Sequence, residues 1–103
     1  TECAYGCPMG SLALELHDAD PAVRELMAAN FTAWVDAVEQ CFRAGAHRFR
    51  DGADLRGLAE LALNVMEGGV MQARTYRDVA HFDRAVAQYR KFVEGQMVRE
   101  AAV

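Results

Sequence analysis

Between Asp54 and Tyr76 the sequence reads as one helix whose apolar residues do not keep to one side. Leu55, Leu58, Leu61, Leu63, Val65, Met66, Val70 and Met71 cover most of its circumference, and only Arg56, Glu60 and Glu67 carry charge between positions 55 and 72. A helix that is apolar nearly all round must be buried on nearly all sides. The chain has only 103 residues in which to do that, one small domain's worth. Whatever the fold, this segment lies at its centre and asks for more cover than three short neighbours supply.

The neighbours are also helical. Pro8 suits a first helical position, and Met9, Leu12, Ala13 and Leu16 follow on one face, which predicts a short helix over 8–17. Asp20 then reads as an N-cap with Pro21 at N1, opening a helix over 21–46. Its apolar positions, including Val23, Met27, Phe31, Trp34, Val38 and Phe42, keep steps of three and four. Asp54 reads as the N-cap of the helix over 55–76. Asp78 reads as the cap of a fourth, over 79–95, with a stripe through Phe82, Val86, Tyr89, Val93 and Met97. No strand-like alternation or internal repeat is present. The class is therefore all-α, with a fraying tail at 99–103.

Composition narrows the function. Eleven basic against fifteen acidic residues give a net charge of −4, a poor match to the phosphate backbone, so these residues are not expected to bind DNA directly. No run approaches the ~18–20 apolar residues of a membrane span, and positions 1–3 do not begin a signal peptide. Cys3, Cys7 and Cys41 read as cytosolic thiols, which places the protein in the cytoplasm. Cys3 and Cys7 with His17 or His47 lack the second close couple of a structural zinc site, so neither metal nor cofactor is expected. No nucleophile elbow, phosphate loop or dinucleotide fingerprint is present, and the chain does not read as an enzyme.

The order of signals, Gly6-Cys7-Pro8-Met9-Gly10-Ser11-Leu12 followed by Asp18-Ala19-Asp20-Pro21 and later Glu67-Gly68-Gly69-Val70-Met71-Gln72-Ala73-Arg74 and Arg77-Asp78, resembles the regulatory half of TetR/AcrR-type transcriptional repressors. The resemblance implies a four-helix fragment of a TetR-like C-terminal domain, dimerising through its last two helices and binding a small effector, which the scarcity of charge around Phe31, Trp34 and Val38 predicts to be apolar. Operator DNA would be bound only by a helix-turn-helix domain that these residues do not include.

Two sets of residues follow as candidates. Tyr5, Met9, Leu12, Met27, Phe31, Trp34 and Val38 form an aromatic and Met-rich group suited to an apolar guest, with Asn30 and Asn64 as polar contacts. The same residues also describe an ordinary core. Leu63, Gly68, Gly69, Val70, Met71, Phe82, Val86, Tyr89 and Val93 are the candidates for a homodimer face. There the two glycines would let the backbone of a two-fold mate approach. Two other readings remain: a helical dimerisation or adaptor module without ligand, and a thiol-based redox protein acting through Cys3 or Cys7.

Overall fold

The computed structural model describes residues 6–8, 10 and 20–99, and its described elements are helical. Among the described residues three α-helices run in order: α1 (Pro21–Ala44), α2 (Leu55–Tyr76) and α3 (Ala80–Gly95), with a 3-10 turn at Ala46–Arg48 between the first two. The helix expected over 8–17 lies outside the described residues, apart from Pro8 and Gly10.

The helix starts are set by local chemistry. Asp20 is extended (φ −146°, ψ 108°) and its side chain accepts the Ala22 N–H at 2.9 Å, with Pro21 in the first helical position. Asp54 does the same for α2, accepting the Gly57 N–H at 2.8 Å. Both satisfy amide donors that have no partner within the helix. At α3 the cap position itself is Val79, which has no side-chain bond, while Asp78 accepts the Ala80 N–H at 2.9 Å. The first helix ends at Ala44, two residues short of the expected Ala46, because the chain tightens there into the 3-10 turn.

A small core closes one end of the molecule. Phe49, Leu55 and Leu58 are buried, with Phe42, Ala53, Val93 and Met97 packed around them. The Phe42 and Phe49 rings meet edge to face at 5.6 Å. Phe49 and Met97 also form an isolated antiparallel bridge, flanked by Arg50 N–H to Gln96 O and Val98 N–H to Arg48 O, both 2.9 Å. Met97, expected on the last helix, thus lies beyond it and ties residues 96–98 to the turn after α1.

The second helix packs against α1 on one side and α3 on the other. Its buried small residues Ala62, Gly69 and Ala73 recur at helical spacing, and Gly69 faces Phe82 of α3. A Cβ at Gly69 would stand 3.0 Å from the Phe82 ring and 3.4 Å from its Cα. The close approach expected from a two-fold mate at this glycine is therefore made within the chain. Gly68 has nothing within 4 Å of the corresponding position.

The result is an elongated, flattened body of 55 × 32 × 17 Å. Its radius of gyration is 16.2 Å, against about 13 Å for a compact chain of this length. Its accessible surface is 7483 Å², some 1,700 Å² more than the ~5,800 Å² of a compact monomer of this mass. Two neighbouring helices leave α2 partly uncovered, with Leu61, Met66 and Met71 exposed.

Candidate functional site: a cleft and a groove on either flank of α2

On one flank of α2 lies a cleft of about 640 Å³, within the range of small-molecule sites. One wall is α2 itself, through Leu63, Glu67, Val70, Met71 and Arg74; Phe31 of α1 and Cys7 and Gly10 close the other side. Positions 64, 67, 71 and 74 share a helical face by spacing alone, so this wall was readable in the sequence. Glu67 and Arg74 are not among the candidates above, because apolar character does not mark them.

The cleft is apolar at Phe31, Leu63, Val70 and Met71 and polar at Asn64, Glu67, Arg74, Thr75 and Arg77. Glu67 is half-buried, and its carboxylate lies against Gly10, where a Cβ would collide with it. Arg77 closes the far end of α2 in the left-handed conformation (φ 54°, ψ 39°), and Asp78 N–H then reaches Ala73 O at 3.0 Å, a common way to terminate a helix.

Of the effector candidates, Phe31 and Asn64 line this cleft. Trp34 and Val38 are half-buried on α1 but are not among its described lining residues, and Met27 is buried. Asn30 is exposed and donates to Leu26 O of its own helix at 2.8 Å, which turns its amide back on the backbone. Tyr5, Met9 and Leu12 lie outside the described residues. Cys7 is half-buried and Cys41 exposed.

The other flank carries a shallower groove between α2 and α3, lined by Leu61, Val65, Gly68, Ala85, Tyr89 and Phe92 among others. Leu61 is 38% exposed and Phe92 51%. Of the dimer candidates, Gly68, Gly69 and Tyr89 line this groove, while Leu63, Val70 and Met71 lie on the cleft side. Phe82 and Val93 are half-buried against Gly69 and the core, and Val86 is half-buried on α3. The Tyr89 hydroxyl donates to Leu58 O at 2.6 Å, and burial pushes its pKa up. Asn64 and Gly68 line both cavities.

Across α1 and α2, Arg56 pairs with Asp36, with Glu39 at 3.1 Å and with Glu60 at 3.3 Å, and Arg43 pairs with Glu39. Hydrogen bonds from Arg43 and then Arg56 hold the Glu39 carboxyl below its ordinary range. This network fixes α1 against α2 near the core end and away from the cleft. Among the described residues no cluster of His, Cys, Asp and Glu is arranged to hold a metal ion, and no helix is long and apolar enough to cross a membrane.

Three helices with a cleft beside the central one make up the described part of a small all-helical domain. The model of the family described as transcriptional regulator LmrA/YxaF-like, C-terminal domain, matches residues 1–88, and the chain belongs to that family. Its fold is similar to the crystal structure of a TetR-family transcriptional regulator from Cytophaga hutchinsonii, with a TM-score of 0.85 at 22% identity. That match covers 92% of this chain and 48% of the other, so this chain spans about half the length of that regulator. Among curated proteins, none matches the sequence significantly.

Proposed function

We propose that this domain senses a small, largely apolar effector in the cleft and pairs with a second copy through the α2–α3 groove. The observation that carries the reading is the apolar surface left open on the two flanks of α2. One flank of α2 forms a 640 Å³ cleft, and the other exposes Leu61 and Phe92, an apolar surface that soluble monomers seldom leave open. A second copy laid on the groove makes a four-helix interface of α2, α3 and their mates.

Because Asn64 and Gly68 line both cavities, an effector that prefers one position of α2 also biases the groove. Differential affinity for two arrangements of the helix pair is what couples such sites. In the longer protein, operator DNA is held by an N-terminal helix-turn-helix domain, and the effector changes the spacing of the two reading heads.

The test is probe binding. Nile red, a neutral apolar dye, should bind with a fluorescence increase, and Val70→Trp, which fills the cleft, should abolish that increase while preserving the helical circular dichroism. Binding that survives Val70→Trp places the dye elsewhere and removes the support for an effector cleft. A stable dimer that binds no apolar probe supports a dimerisation module without ligand.

A further inference from the structure

Resting on the effector reading just given, the structure assigns a charge to the ligand: we propose that the cleft selects an amphipathic organic cation, with Glu67 as its anchor. Glu67 is half-buried in the wall of the cleft, and among the described residues it makes no hydrogen bond or ion pair. Its carboxylate is confined by Gly10 on one side. Its neighbours one turn away on the same helix, Leu63, Val70 and Met71, supply the apolar wall. A ligand body lying on those three side chains therefore passes directly over the carboxylate.

The competing charges in the cleft are Arg74, two turns along α2, and Arg77 at its C-terminal end; both are exposed, and Arg77 already has an interaction of its own. Position decides between them. An exposed guanidinium is screened by water and salt, whereas a half-buried carboxylate acts through a medium of lower effective dielectric. A partly desolvated acidic group without a partner is also one that an incoming cation relieves and an incoming anion aggravates. Phe31, facing from α1, adds an aromatic surface, which attracts cations rather than anions.

Tetraphenylphosphonium and tetraphenylborate are nearly equal in size and opposite in charge, so their affinities, measured by calorimetry on the intact protein, isolate the sign. The expected result is tetraphenylphosphonium bound at least roughly tenfold more tightly, the scale of one partly screened charge pair. Glu67→Gln should bring the two affinities within about threefold of each other, with the helical circular dichroism and thermal midpoint retained. Glu25→Gln, an exposed change on α1, controls for net charge and should leave the preference intact. A preference for tetraphenylborate, or a cation preference that survives Glu67→Gln, overturns the assignment while leaving the cleft standing if Nile red still binds. Failure of all three probes overturns both.

Discussion

Adjacent glycines at 68 and 69 make opposite predictions for the same substitution. Inside a helix, Gly→Ala recovers about 0.8–1.0 kcal/mol of backbone entropy. At Gly68 nothing lies within 4 Å of the new methyl group, so Gly68→Ala should stabilise the isolated fold by about that amount. At Gly69 the methyl group stands 3.0 Å from the Phe82 ring and 3.4 Å from Phe82 Cα. The ring can shift, but the Cα moves only with α3, and overpacking of this kind costs ~1–3 kcal/mol. Gly69→Ala should therefore come out between neutral and ~2 kcal/mol destabilising. The separation between the two variants, ~1–3 kcal/mol, corresponds to a midpoint difference on the order of 4–15 °C for a domain of this size. Urea unfolding of both variants at one low protein concentration, with unchanged m-values, is the assay. If Gly69→Ala stabilises as much as Gly68→Ala, α3 does not pack on α2 as described.

Three other substitutions test the scaffold. Asp54→Ala removes the acceptor of the Gly57 N–H and should cost ~1 kcal/mol, seen as a lower denaturation midpoint. Tyr89→Phe removes the hydrogen bond to Leu58 O, a loss on the order of 1 kcal/mol. Because the folded tyrosine has the raised pKa, its contribution is present below the ordinary value of 10.0 and lost as pH rises through the folded one, so the variant should flatten the alkaline limb. Glu39 runs the other way. Its folded pKa is lowered from 4.5 by Arg43 and Arg56, so its contribution is present above 4.5 and lost as pH falls through the folded value. Glu39→Gln should flatten the acid limb of a stability–pH profile and leave the alkaline limb alone.

What the sequence made legible was local. An Asp before a helical run caps it whatever the tertiary structure, so Asp20 and Asp54 could be placed from neighbouring residues alone. The all-round apolarity of the central helix likewise announced a segment needing cover on every side. The bridge between Phe49 and Met97 was not legible, because it pairs residues far apart in sequence and neither segment alternates like a strand. Nor was the partner of Gly69: a glycine signals a close approach, but whether to Phe82 of the same chain or to another copy is a tertiary fact. The cleft was half legible. Residue type marks Phe31 and Asn64, which line it; type marks Trp34 equally, but Trp34 is half-buried outside the described lining. Glu67 escaped because a single charge on an apolar helix reads as solvated until the fold shows what stands over it.

Self-association through the groove is the claim on which the regulatory reading most depends, and sedimentation equilibrium at micromolar concentration measures it directly. The native protein should sediment as a dimer. Phe92→Arg and Leu61→Lys, at exposed positions whose change leaves the core of Phe49, Leu55 and Leu58 untouched, should sediment as folded monomers, because a charge without a partner is not tolerated in an apolar interface. A native protein that stays monomeric across that range, or variants that dimerise as tightly as the native chain, would contradict the account.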